Sequence, residues 1–185
     1  MPSDNEGRFF WLLDRIVRRE GIGDLLADGV RVAAQKIGQG AEAYAIHAGG
    51  QELAMHDGRF DPGFALHNCV EPTPGRHTIG SQLYYELFQL WEQAENLPAP
   101  DLIYLKKSKF EPDQEKATAA AAYSQFTNVM NGAGGCLYAA LLGPKRFPLF
   151  QWLNAATGWK RAPEDYLRIG ARIQTLRQAF NIKNG

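Results

Sequence analysis

Two cysteines and four histidines are the soft or borderline metal ligands that this 185-residue chain offers. Their spacing matches neither thiols two residues apart nor a histidine pair on one helical face, so a self-contained zinc site is not expected. Cys136 stands out because three glycines precede it in NGAGGC, residues 131–136. Glycine lets a backbone approach another group closely, and a thiolate is a soft ligand. From the pattern alone the default is nevertheless a buried structural thiol behind a helix break. Cys69 reads as a small buried hydrophobe.

The second chemical feature is EPTPGRHTIG, residues 71–80, in which Pro72 and Pro74 stiffen the chain before Gly75, Arg76 and His77. One reading is an imidazole held in fixed geometry that exchanges a proton near neutral pH, with Arg76 available for an anion. The other is a proline-rich loop whose histidine caps a helix or contacts a carbonyl. His56 beside Asp57 in MHDGRFDPG has the same two readings, an oriented base or a structural histidine at a strand end, and the structural one is favoured.

Charge narrows the partners. Twenty basic side chains balance twenty acidic ones, which removes the bulk electrostatic argument for nucleic acid or an anionic membrane and favours a protein or small molecule. No apolar run approaches the roughly 20 residues that span a bilayer, and MPSDNEGRFF lacks the basic-then-apolar order of a signal peptide. A cytoplasmic chain with reduced thiols is expected. With 45% apolar residues, the length suits one ordinary domain or two small ones.

The elements that must position these residues are mainly helical. Phe9, Leu12, Leu13, Ile16 and Val17 predict an amphipathic helix over 8–19, with Arg15, Arg18 and Arg19 on a solvated face and Gly21 as its cap. Asp24 caps a second helix carrying Leu26, Val30, Ala33, Ala34 and Ile37 up to Gly38. Residues 44–56 suit a small β-hairpin around Gly49 and Gly50. The prolines and glycines of 57–80 make most of that stretch irregular, of the kind that serves active sites. Further helices are expected at 81–95, 113–130, 137–142, 147–157 and 163–180, with an exposed loop at 96–112. The class is all-α and multihelical.

Taken in order, the blocks REGIGDLLADGVRVAAQKIG, GQELAMHD, PTPGRHT, NGAGGC and LNAATGWKRAPEDYLRIGARIQTLRQAFNIKNG resemble the C-terminal part of the tungsten-containing aldehyde ferredoxin oxidoreductase family. The likeness covers most of the chain outside 96–112. It implies that residues 1–45 are the end of the family's middle helical domain and that 46–185 are most of its last helical domain. It further implies aldehyde oxidation to carboxylate on a tungsten or molybdenum bis-pterin, with electrons passing through a [4Fe-4S] cluster to ferredoxin.

Residue by residue, NGAGGC resembles the family's second pterin-binding motif: aspartate, two variable residues, glycine, usually leucine, then cysteine. The resemblance makes Cys136 a metal ligand in the cluster and Gly134 the motif glycine. Asn131 stands where aspartate is usual and Gly135 where leucine is usual; asparagine still accepts a hydrogen bond from a pterin amine but carries no charge. His77 resembles the histidine beside the tungsten centre, able to bond an oxygen and move a proton, and Arg76 falls among the cofactor contacts. The other three cluster cysteines, the first pterin motif and the N-terminal domain are not in these 185 residues. A fragment that is inactive and cofactor-free by itself is therefore expected, completed by N-terminal pterin- and cluster-bearing domains. Apolar surface left uncovered would favour self-association. The alternative is a stand-alone, non-catalytic helical interaction module derived from the family.

Overall fold

Asp4 opens the first helix, α1 (Asn5–Arg18), by accepting a hydrogen bond from the Gly7 N–H at 2.6 Å. The computed structural model describes residues 2–80, 82–99, 110–142 and 147–184. It divides into two units, Met1–Leu53 and Ala54–Gly185.

In the first unit α1 ends at Arg19, whose left-handed backbone (φ 54°) does the work expected of Gly21. The Arg19 guanidinium is held by Asp28 at 2.7 Å and Asp24 at 3.0 Å. The single helix expected after Asp24 is instead two, α2 (Ile22–Leu26) and α3 (Val30–Ile37). Gly29 turns the chain between them at φ +85°, and Glu52 accepts from the Val30 N–H at 2.7 Å in place of a local cap. A Cβ on Gly23 would lie 2.1 Å from the Arg15 backbone, so α2 packs on α1 through bare backbone.

The hairpin is shorter than 44–56. Strands β1 (His47–Ala48) and β2 (Gln51–Glu52) pair antiparallel, His47 opposite Glu52, around Gly49 and Gly50, both at positive φ. Tyr44, expected in the hairpin, instead ends a 3-10 turn over Ala41–Tyr44. A two-stranded ribbon has little to hold it beyond its turn. The apolar stripe of α1 is not buried: Phe9, Phe10, Leu13 and Val17 are exposed.

In the second unit a helix, α4 (Pro62–Val70), occupies part of the stretch expected to be irregular. Asp61 caps it, accepting from the Gly63 N–H at 2.8 Å, and Pro62 sits at the first helical turn, where a missing N–H costs nothing. The helix expected at 81–95 stops early: α5 spans Gln82–Leu87, Gln89 turns left-handed (φ 48°), and Leu90–Glu92 is a 3-10 turn. Of the expected loop at 96–112, residues 100–109 lie outside the described residues. The long α6 (Gln114–Gly132) is capped by Asp113 and followed by α7 (Leu137–Leu142), α8 (Leu149–Thr157) and α9 (Pro163–Asn184).

The core gathers on α6. Tyr123, Phe126 and Met130 are fully buried against Phe64, Tyr85, Phe88, Phe150 and Tyr166. Gly170 lets α9 close onto α6, since a Cβ there would fall 2.1 Å from the Gln125 carbonyl oxygen. The class is all-α, with the hairpin as the only strand pairing among the described residues. No helix there is long and apolar enough to cross a membrane.

Candidate functional site

As the chain leaves α4 it places Glu71, whose side chain is 1% exposed, inside the second unit. A buried carboxylate is costly unless it is paired and hydrogen-bonded, and the partners come from α9. Arg177 forms an ion pair with Glu71, and Gln174 Nε2 donates to Glu71 Oε2 at 2.7 Å. The same guanidinium donates through Nη2 to Thr73 Oγ1 at 2.7 Å and through Nη1 to Asn128 Oδ1 of α6 at 3.1 Å. Asn128 Nδ2 donates to Gln174 Oε1 at 2.8 Å, and Asn181 Nδ2 donates to the Pro72 carbonyl at 2.7 Å. Residues 71–73 are thus tied to two helices immediately before the Gly75, Arg76, His77 segment.

His67, which the sequence offers only as one of four possible histidine ligands, closes the far side of that loop. Its Nε2–H donates to the Arg76 carbonyl at 2.5 Å, which fixes the tautomer of the neutral ring. Burial pushes its pKa below the ordinary histidine value, against the opposing pull of Glu71 and of the Arg76 carbonyl. A Cβ on Gly80 would meet the His67 ring at 2.5 Å, so only glycine permits this packing. Between α4, α6 and α9 lies a cavity of about 380 Å³ whose walls include His67, Glu71, Gly80, Ala121 and Ser124. The Arg76 side chain points to solvent.

His77 is half-buried and does not stand alone. Its ring lies 4.9 Å from that of His56, tilted by 44°, and His56 stacks on Phe64 at 4.5 Å with the planes 10° apart. Phe64 is 3% exposed and meets Tyr84 edge-on. Burial lowers the His77 pKa, and the neighbouring charge of His56 lowers it further. The histidine favoured as structural on sequence grounds is therefore in ring contact range of the stronger candidate.

The NGAGGC segment is the end of α6 and the turn into α7. Gly134 adopts φ +80°, its N–H donates to the Asn131 carbonyl at 3.1 Å, and the Gly135 N–H donates to the Met130 carbonyl at 2.8 Å. These two bonds are the Schellman arrangement that satisfies the last carbonyls of a helix. A Cβ on Gly135 would lie 2.6 Å from Met130 Cγ, whereas one on Gly134 would meet nothing within 4 Å. The turn is closed on the Gly135 side and open on the Gly134 side. Asn131 is exposed.

Cys136 and Cys69 are both free and exposed, which corrects the buried reading of each. Cys136 opens α7 on the solvent side of the turn, and Cys69 lies on an outward face of α4. An exposed thiol in a glycine turn can give one ligand to a shared metal centre. Among the described residues, no three or more His, Cys, Asp or Glu side chains cluster as a complete metal site.

The structure thus forms two groups. His77 and His56 stand together on the loop before α5, and Asn131, Gly134, Gly135 and Cys136 share one turn. The Thr73–Arg177–Asn128 bonds bring the base of the His77 loop to α6 three residues, about one helical turn, before Asn131.

The family model described as aldehyde ferredoxin oxidoreductase, domains 2 and 3, matches residues 2–185. The chain is 31% identical over 184 residues to a tungsten-containing aldehyde ferredoxin oxidoreductase of Pyrococcus horikoshii, covering 99% of this chain and 27% of that protein. It shows the same identity and coverage with one from Pyrococcus abyssi. With one from Pyrococcus furiosus it is 28% identical over 176 residues, covering 95% of this chain and 26% of that protein. The chain spans about a quarter of the length of these curated relatives.

Proposed function

The chain belongs to the aldehyde ferredoxin oxidoreductase family, and on that premise we propose that it is the C-terminal helical part of an enzyme that oxidises aldehydes to carboxylates and delivers the electrons to ferredoxin. The observation that carries this reading is the family match along residues 2–185, in which the PTPGRHT and NGAGGC blocks both lie. Residues 1–45 would end the middle helical domain and 46–185 would make most of the last one.

The residues present fit the groups the family implies. The exposed Cys136 thiol is the donor type that an iron–sulfur cluster takes, as one of four. The open side of Gly134 leaves room for a ligand to reach the backbone, and exposed Asn131 can accept a hydrogen bond from a pterin amine. When bound, the tungsten or molybdenum bis-pterin supplies two-electron redox chemistry and the cluster supplies one-electron transfer.

The protein's own share is positioning and proton movement. His77, kept neutral by burial, accepts a proton at a ring nitrogen and orients an oxygen of the substrate. Arg76 offers a charge to an anionic group of the cofactor. The buried Glu71–Arg177 pair holds the loop in one conformation, so His77 does not have to be ordered at each turnover. Three further thiolates are needed for the cluster, so the 185 residues alone hold no cofactor and oxidise no aldehyde. We place the protein in the cytoplasm, and the exposed Phe9, Phe10 and Val17 favour self-association of the isolated chain.

The test is co-expression of the chain with the part of the Pyrococcus horikoshii relative that precedes the matching region. Tungsten, iron and aldehyde-dependent dye reduction are then measured in the purified complex and in the chain alone. The complex should carry both metals and reduce dye, Cys136→Ser should lose iron, and His77→Gln should lose turnover with metals retained. Metal-loaded, active chain without its complement would overturn the inactivity of the fragment. A metal-loaded complex that oxidises no aldehyde would overturn the enzymatic reading. Asn131 in place of the usual aspartate favours a second reading, a non-catalytic helical module; it predicts a complex without tungsten.

A further inference from the structure

We propose that His56 is the proton partner of His77: the two imidazoles hold one proton between them, and His56 passes to solvent the proton that His77 takes up at the active site. The proposal rests on the enzymatic reading above and names a residue that neither the pterin-type turn nor the PTPGRHT block contains.

Geometry carries the pairing. The ring centroids lie 4.9 Å apart with the planes tilted by 44°, close enough for one water to carry a proton from one ring to the other. Both rings are half-buried, so a positive charge on one disfavours a second on the other. The pair is also asymmetric. His56 lies flat on the Phe64 ring at 4.5 Å, and an aromatic face attracts a cation laid on it. His77 has only burial and the charge of His56 acting on it, and both disfavour its charged form. A proton taken up by His77 therefore moves toward His56.

The nearby charged groups have partners of their own, the buried Asp61 accepting from the Gly63 and Phe64 N–H groups. Asp57 is occupied by the backbone N–H and guanidinium of Arg59, Glu71 by Arg177, and His67 by the Arg76 carbonyl. The Arg76 side chain is exposed, and Tyr84 contacts the assembly through Phe64.

The reaction needs such an exit. An aldehyde and water become a carboxylate with release of three protons and two electrons, RCHO + H2O → RCOO⁻ + 3H⁺ + 2e⁻. The electrons go to two equivalents of a one-electron acceptor of the ferredoxin class. One of the protons leaves by His77 and His56, and each ring is returned to its starting state when His56 releases its proton to water. His56 touches no reacting atom; it acts through His77.

Nuclear magnetic resonance titration of the ¹⁵N-labelled ring nitrogens in the full chain tests the pairing without any cofactor. In the wild-type chain both rings should show two-step curves, each responding to the other. In His56→Gln the His77 curve should collapse to a single step moved to higher pH, because a like charge has been removed; His56→Phe, which keeps the stacking on Phe64, should do the same. A His77 curve unchanged in both variants overturns the proposal. If neither variant folds, independent one-proton curves in the wild-type chain overturn it equally.

The role in turnover is read in the metal-loaded complex. His56→Ala should lower kcat by about tenfold or more with KM unchanged, shift the acid limb of its pH profile, and recover part of its rate in imidazole buffer. A purely structural histidine gives no imidazole rescue, and that result sinks the relay. Ring coupling present with no aldehyde oxidation supports the pairing and overturns the enzymatic reading. Ring coupling lost with oxidation intact overturns the pairing alone.

Discussion

Arg177 of α9 donates to Thr73 Oγ1 at 2.7 Å across 104 residues of sequence, and with the same guanidinium neutralises the buried Glu71. The loop that carries His77 is therefore fastened by a charge pair, not by its prolines alone. Removing one member leaves an uncompensated charge in the interior. Arg177→Met should destabilise the chain by about 3–5 kcal/mol, read as a lower urea midpoint at unchanged slope. The double variant Glu71→Gln, Arg177→Met should recover a large part of that loss.

The two glycines before Cys136 make different demands. Gly134 needs only a left-handed backbone, so Gly134→Ala should cost about 1 kcal/mol. Gly135→Ala also drives a methyl into Met130, which is fully buried, and overpacking adds about 1–3 kcal/mol. Thermal unfolding should rank Gly135→Ala well below Gly134→Ala; equal melting temperatures would show that the turn relaxes away from Met130.

His67 and His77 both have pKa values below the ordinary 6.5, each chiefly through burial. Their unfolded forms bind protons more readily than their folded ones, so stability is fully present above about pH 6.5 and declines as pH falls from there toward the lowered folded values. Denaturant unfolding at a series of pH values should show that decline. His67→Gln, which keeps a donor for the Arg76 carbonyl, should make it shallower, and an unaltered slope would remove His67 as the source.

Both thiols face solvent. A thiol-specific reagent should modify Cys69 and Cys136 in the native chain as fast as in the denatured one. Cys136→Ser should change stability by no more than about 0.5 kcal/mol, as for an exposed site without special contacts. A slow native reaction at Cys136 would mean that the turn covers it.

Local signals carried far. The stop after Asn131 was legible because a left-handed residue ends a helix through bonds to its own last turn. The α4 helix has a local signal too, since Asp61 followed by Pro62 is an N-cap with proline at the first turn, but the prolines and glycines around it read as breakers. The split into α2 and α3 was not, because Glu52, which caps Val30, is 22 residues away.

The sequence by itself determined the helical class and the positions of most helices, and it singled out the PTPGRHT and NGAGGC segments, since periodicity, caps and glycine turns act within a few residues. Its ordered blocks also pointed to the family that residues 2–185 match. Only the tertiary structure decided that His56 rather than solvent is the neighbour of His77, that Glu71 is a buried charge answered by Arg177, and that both cysteines are exposed. Burial and pairing depend on which helix face meets which, and that is settled by packing across the whole chain.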